Sequence, residues 1–167
     1  PILLAGGEIY TALERGTIDA TEWVGPFHDQ RLGLHQAAKY YYYPGWHEPG
    51  TTLELIINRN AWAELPEDLQ KIVTVAARSV NQDIFSQLEV LNLKALQELK
   101  EETSVEVLAF PPEALQEFKR LTAETLDEEA AKNASFKKVY EAYKKFQAEN
   151  AAWNAISDDA YGRALQP

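Results

Sequence analysis

Glu22 and Trp23 stand together near the end of Thr17-Ile-Asp-Ala-Thr-Glu-Trp-Val-Gly-Pro26, where a strand-like pattern runs out. Ile18, Ala20 and Val24 can face a core, and Gly25-Pro26 breaks the run. The spacing predicts a strand with the acid and the indole at its carboxyl end, where open α/β sheets bind ligands. A carboxylate beside a large ring suits a small polar ligand, because the ring excludes water and strengthens the charge contact. Trp46 and Glu48 repeat the pair inside Tyr40-Tyr-Tyr-Tyr-Pro-Gly-Trp-His-Glu-Pro-Gly50. Pro44-Gly45 and Pro49-Gly50 bracket them as a loop stiffened at both ends, a good support for a binding side chain. The same spacing fits a rigid connector with a packed Trp46.

Glu22 has the chemistry of a hard-cation ligand, since carboxylate and carbonyl oxygens suit sodium or calcium. An exposed acid after a strand fits the spacing too. Evidence for catalysis is thin. His28, His35 and His47 are the only histidines and fall in no metal-binding arrangement. No nucleophile elbow, Walker loop or complete dinucleotide fingerprint occurs. A metal-assisted lyase or hydrolase using Glu22 and Glu48 is the enzymatic alternative, and it requires the fold to bring the two acids together.

The 167 residues carry a net charge of -10, which argues against nucleic acid as a partner, because phosphate backbones call for clustered Lys and Arg. With no cysteine there is no disulfide framework, thiolate nucleophile or zinc-thiolate site. No run approaches the ~20 apolar residues of a membrane-spanning helix.

Several elements must position these residues. Pro1 to Ala5 reads as the tail of a strand, and Gly6 to Gly16 as a helix stopped by Gly16. A modest helix is expected from Asp29 to Lys39. The four tyrosines that follow cannot all enter one core, since alternate residues of extended chain face opposite sides. Thr51 to Asn58 is apolar and β-branched, a strand for the middle of a sheet. Asn60 to Glu64 makes a helical turn with Trp62 packed. From Leu65-Pro66 onward, Leu69, Val73, Ala76, Val80, Ile84, Leu88, Leu91, Ala95 and Leu99 recur in helical steps with no Gly or Pro among them. A helix over 66–100 is predicted, on the order of 50 Å long, enough to join two lobes. Val105 to Phe110 is a short strand ending at Pro111-Pro112, and a helix follows through Leu126. Ser135 is expected to cap a third helix. There Phe136, Val139, Tyr140, Tyr143, Phe146 and Trp153 form an aromatic stripe, read as core or as a docking face for a second subunit. Ser157 is expected to cap a last short helix.

Gly6-Gly-Glu-Ile-Tyr-Thr-Ala-Leu-Glu-Arg-Gly-Thr-Ile-Asp-Ala-Thr-Glu-Trp-Val-Gly-Pro26, with Ala37-Ala-Lys-Tyr-Tyr-Tyr-Tyr-Pro-Gly-Trp-His-Glu-Pro-Gly50, closely resembles the solute-binding proteins of TRAP transporters (DctP-type). The branch it is most similar to binds 2-oxo acids or lactate with a metal ion, and the likeness covers essentially the whole chain. The resemblance implies an α/β fold of two lobes, type II-like among periplasmic binding proteins, with 66–100 as the inter-lobe helix and 134–167 as C-terminal helices. It implies that these residues are the C-terminal portion of such a protein. Residue by residue, it implies Glu22 giving a carboxylate and Trp23 a carbonyl to a sodium or calcium ion, with Trp23 also beside the substrate. It implies Glu48 near the oxo or hydroxyl end of the substrate, and Phe27 and Trp46 as cleft walls. The implied function is periplasmic capture of a small monocarboxylate, without catalysis, for delivery to a TRAP membrane permease, with the C-terminal helices available for a homodimer. The family's carboxylate-binding Arg and metal-binding Gln come from segments before Pro1, and neither Arg15 nor Arg31 matches the former. Residues 1–167 alone are therefore expected to bind substrate weakly or not at all, since a lost bidentate guanidinium contact in a buried site costs several kcal/mol.

Overall fold

The structure is a computed structural model that describes residues 1–46, 48, 50 and 53–165. It divides into two compact units, Pro1–Phe110 and Pro111–Pro167.

In the first unit, helix α1 (Gly6–Glu14) buries Ile9 and Leu13, four residues apart on one face. Gly16 stops it with φ 68, as the sequence predicts, and the Gly16 and Thr17 amides take the carbonyls of Leu13 and Ala12. Helix α2 (Pro26–Arg31) begins at Pro26, whose missing N–H costs nothing in a first turn. Gly33, at φ 81, turns the chain into α3 (Leu34–Ala37), so the single helix expected from Asp29 to Lys39 is two short ones. Leu34 of α3 closes a small core with Ile9 and Leu13, flanked by Leu4, Ile18, Leu32, Ala37 and Ala38.

The tyrosine run is a strand, β1 (Tyr40–Tyr43), paired in parallel with β2 (Glu106–Ala109), Tyr40 opposite Glu106 and Tyr43 opposite Ala109. A parallel pair needs a long crossover. Here it contains α4 (Arg59–Glu64) and α5 (Glu67–Glu102). Asn58 caps α4 through its side-chain oxygen, and the Gln70 amide ties the end of α4 to α5 by donating to the carbonyls of Trp62 and Leu65. Trp62 is half-buried, as expected.

Helix α5 runs for 36 residues, matching the predicted 66–100 within two residues at its far end. Its fully buried residues, Ala95 and Leu99, lie in the last part, where with half-buried Leu88, Leu91, Asn92 and Leu96 it packs against α2, while Gln70, Val73 and Ala77 are half-buried nearer its start. Ile72, Val75, Val80, Ile84 and Phe85 lie exposed. Thr103 ends the helix, its hydroxyl donating to the Leu99 carbonyl and accepting from the Val105 amide.

Three strand expectations fail. Pro1 to Ala5 is irregular, and so is Thr17 to Val24. A strand exists only as part of a ladder, and the amides of the second segment are taken locally instead. Thr17 and Ile18 donate to Ala12 of α1, and Val24 donates to the side chain of Asp29. Of its three apolar positions only Ile18 is half-buried, while Ala20 and Val24 are exposed. In the predicted central strand at 51–58, positions 51 and 52 lie outside the described residues. From Leu53 to Asn58 the chain forms no strand, and Leu53, Leu55 and Ile56 are exposed.

The second unit is helical: α6 (Pro112–Lys132), α7 (Ala134–Asn154) and α8 (Asp158–Ala164). Helix α6 continues six residues past Leu126, so the acidic stretch at 127–129 does not end it. α6 and α7 pack together, with Lys144 3.4 Å from Asp127 and over the Tyr140 ring at 4.2 Å. The aromatic stripe is not core. Phe136 and Tyr140 are half-buried, while Val139, Tyr143, Phe146 and Trp153 are exposed. Helical spacing aligns such residues on one face but cannot supply the element that covers them.

Asn133, not Ser135, caps α7: its Oδ1 accepts from the amides of Ser135 (2.9 Å) and Phe136 (3.0 Å). Asn133→Ala is expected to destabilise this unit by about 1 kcal/mol, and Ser135→Ala by a few tenths, read as shifts in the urea midpoint of helical circular dichroism. The reverse order would return the cap to Ser135. Ser157 precedes α8 as expected, but its hydroxyl donates back to Trp153 and makes no cap. No described helix is long and apolar enough to cross a membrane.

Candidate functional site

Glu22 and Trp23 lie in the irregular segment between α1 and α2, and Glu22 is exposed. The Trp23 indole lies over the first turn of α1. A Cβ at Gly6 would stand 3.0 Å from the ring, so glycine is what lets the indole approach so closely. Two residues beyond Trp23 the backbone turns into α2, and that turn is held by Asp29.

Asp29 is the one buried charged residue among those described. Its Oδ1 accepts from the amides of Val24 (3.0 Å) and Gly25 (3.1 Å), and its Oδ2 accepts from the Tyr41 hydroxyl at 2.6 Å. The carboxylate thus joins the Trp23 segment, α2 and β1. Burial, and then the bond to Asp29, push the Tyr41 hydroxyl well above the usual tyrosine range. Alternation puts Tyr41 on the face opposite Tyr40 and Tyr42, and of the four rings Tyr41 is the one that is half-buried. Tyr40, Tyr42 and Tyr43 are exposed, and Tyr42 stacks on Phe110 with centroids 5.0 Å apart, in line with the expectation that the rings cannot share one core.

Phe27, in the first turn of α2, gives its amide to Asn92 Oδ1 of α5 at 3.1 Å. Its ring meets His28 edge-on at 5.2 Å and carries the Arg31 guanidinium 5.2 Å from its centroid. A second link from α2 to α5 runs from Gln30 to Glu98 at 2.9 Å. The Nδ1 atoms of His28 and His35 are enclosed without a hydrogen-bond partner, which suits packed rings better than ligands.

Trp46 is half-buried in the loop after β1, and Glu48 is exposed. His47, between them, lies outside the described residues. Glu22, Trp23 and Phe27 therefore share one stretch fastened to α5 and β1, while Trp46 and Glu48 leave the end of β1. Among the described residues no three His, Cys, Asp or Glu side chains group as a metal site. The donors at hand, a carboxylate and a backbone carbonyl from adjacent residues, are hard oxygen ligands that fit sodium or calcium but do not complete a coordination sphere.

Sequence reasoning missed Asp29, Tyr41 and Asn92. For Asp29 a signal was present, an acid in the first turn after Gly25-Pro26. Tyr41 sat undistinguished in a run of four. Asn92 is separated from Phe27 by 65 positions, and no local pattern could link them.

The family described as bacterial extracellular solute-binding proteins, family 7 (DctP), matches residues 1–133. A monocarboxylate 2-oxoacid-binding periplasmic protein of Nostoc sp. is 43% identical over 159 residues, which are 95% of this chain and 43% of that protein. Among solved structures, a TRAP periplasmic solute-binding protein of Colwellia psychrerythraea with bound calcium and pyruvate is 40% identical. It superposes with a TM-score of 0.91 over 99% of this chain and 50% of its own. A counterpart from Pseudoalteromonas atlantica with bound sodium and pyruvate gives the same figures. A third, from Bordetella bronchiseptica, is a mixed-occupancy dimer with calcium and picolinate, 34% identical with a TM-score of 0.92 over 98% of this chain and 48% of its own. The chain thus spans about half the length of the relatives it matches. The expected fold class, an α/β periplasmic binding protein, and the expected extracytoplasmic location both agree with these matches. By the match over residues 1–133 and the identity across nearly all its length, this chain belongs to the bacterial extracellular solute-binding proteins of family 7.

Proposed function

We propose that the chain is part of a TRAP transporter solute-binding protein that captures a small monocarboxylate, a 2-oxo acid such as pyruvate or a lactate, together with a sodium or calcium ion. The observation that carries this is the 40% identity, over 99% of the chain, to binding proteins crystallised with bound pyruvate and calcium or sodium. The local geometry supports it. An exposed carboxylate at Glu22 adjoins a backbone unit at Trp23 whose conformation is fixed by a buried acid. Glu22 and the Trp23 carbonyl hold the cation. Trp23, Phe27 and Trp46 wall the cleft, and Glu48 meets the oxo or hydroxyl group. The cation, when bound, supplies a positive charge on which an organic anion can rest.

Residues 1–167 form the C-terminal part of two interleaved lobes, with α5 as the inter-lobe helix and 134–167 as C-terminal helices. The exposed aromatic face of α7 supports a homodimer through those helices, and the cargo is handed to the TRAP permease. A metal-assisted lyase or hydrolase is not favoured, because the relatives are binding proteins.

Calorimetric titration of the intact protein with pyruvate, with and without calcium, tests the reading. Saturable binding that strengthens with the cation is expected, with pyruvate unchanged by NMR after hours. Turnover of the acid, or binding indifferent to both cations, would overturn it.

A further inference from the structure

Every described peptide bond except Tyr43–Pro44 is trans, so the unit joining Trp23 to Val24 has its N–H and its C=O pointing in opposite directions. Its N–H, on Val24, is tied to Asp29 Oδ1 at 3.0 Å. The Trp23 carbonyl is therefore aimed away from the Asp29 carboxylate. The next amide, on Gly25, is bound by the same oxygen, so one carboxylate holds both peptide units that flank Val24, each by a charge-assisted hydrogen bond. Asp29 itself is fixed from β1 by the Tyr41 hydroxyl. Asn92 of α5 holds the amide of Phe27 and packs beside Gly25, where an added Cβ would lie 3.4 Å from its Oδ1.

We propose that Asp29 is a positioning residue for the cation: it orients the Trp23–Val24 peptide so that the carbonyl faces the ion, and its negative charge, drawn against the N–H, increases the electron density on that carbonyl oxygen. Hydrogen bonds polarise one another along such a chain, and a carboxylate acceptor does so more strongly than a neutral one. The inference rests on the reading of Glu22 and Trp23 as cation ligands.

The test titrates the intact protein and its variants with calcium chloride. Asp29→Ala is expected to lower calcium affinity about tenfold or more, the usual range for a lost outer-shell partner. Asp29→Asn keeps an acceptor without the charge and should show an intermediate loss. Val105→Ala trims a buried side chain outside the bonds among Asp29, Tyr41 and Asn92; it should lower the melting temperature and leave calcium affinity nearly unchanged, which separates positioning from general destabilisation. A metal-free readout is available, because Trp23-Val24 is the single Trp-Val step in these 167 residues. Labelling Trp carbonyls with ¹³C and Val amides with ¹⁵N gives one coupled NMR signal. Its amide proton should lie downfield in the unaltered protein and move upfield in Asp29→Asn, so the idea stays testable even where Asp29→Ala does not fold. Full calcium affinity in both Asp29 variants, or a loss in Val105→Ala as large as in Asp29→Ala, overturns the inference alone. An unaltered protein that takes up neither cation sinks the reading of the site, and this inference with it.

Discussion

Glu22→Gln is expected to weaken calcium binding by about a hundredfold, which is ~2.7 kcal/mol. Gln keeps the length of the side chain and one carbonyl oxygen, so the loss isolates the negative charge. For a divalent ion that charge is the dominant local attraction, and ligand charge count is what spreads calcium affinities over decades. Because cation and organic anion are taken up together, affinity for pyruvate should fall by the same coupling factor that calcium confers on it. The exposure of Glu22 means that the change should leave the melting temperature of the ligand-free protein nearly unaltered. Calorimetry with calcium, alone and with pyruvate, measures both losses. Undiminished calcium affinity would remove Glu22 from the site.

The second large effect concerns the scaffold. Leu99→Ala is expected to destabilise the first unit by about 3 kcal/mol, because Leu99 is its most completely enclosed side chain, at 1% exposure. It lies one turn beyond Ala95, which is 3% exposed, on the part of α5 that is covered. The same face, two turns earlier, carries Asn92, which holds the Phe27 amide, so packing at Leu99 also keeps α2 and the Glu22 segment in place. Val80→Ala, on an exposed stretch of the same helix, should cost no more than about 0.5 kcal/mol. Urea denaturation of the 167-residue chain compares the two, and equal costs would show that α5 is not anchored where its burial indicates.

Much of the helical content was legible because a helix satisfies its own backbone. The periodic run after Pro66 and the glycine stop at Gly16 both rest on interactions within a few residues. Where a helix touches its neighbours was not legible. Spacing alone gave Ile84 and Leu99 the same standing, and only the packing of α2 separates an exposed position from a buried one. The strands predicted at 17–24 and 51–58 failed for a related reason. Alternating or β-branched residues state a fitness for a sheet, while a ladder requires another chain segment to supply the hydrogen bonds. At Val24 an aspartate side chain supplied one instead.

The sequence by itself determined the family, since the stretches that hold Glu22, Trp23, Trp46 and Glu48 have residue types in an order that is distinctive without reference to any contact. Tertiary structure alone decided how the first pair is held. Asp29, Tyr41 and Asn92 meet the Trp23 turn from α2, β1 and α5, and the bonds from Tyr41 to Asp29 and from Phe27 to Asn92 span 12 and 65 positions. A hydrogen bond depends on distance in space, and separation along the chain carries almost no information about it until the chain has folded.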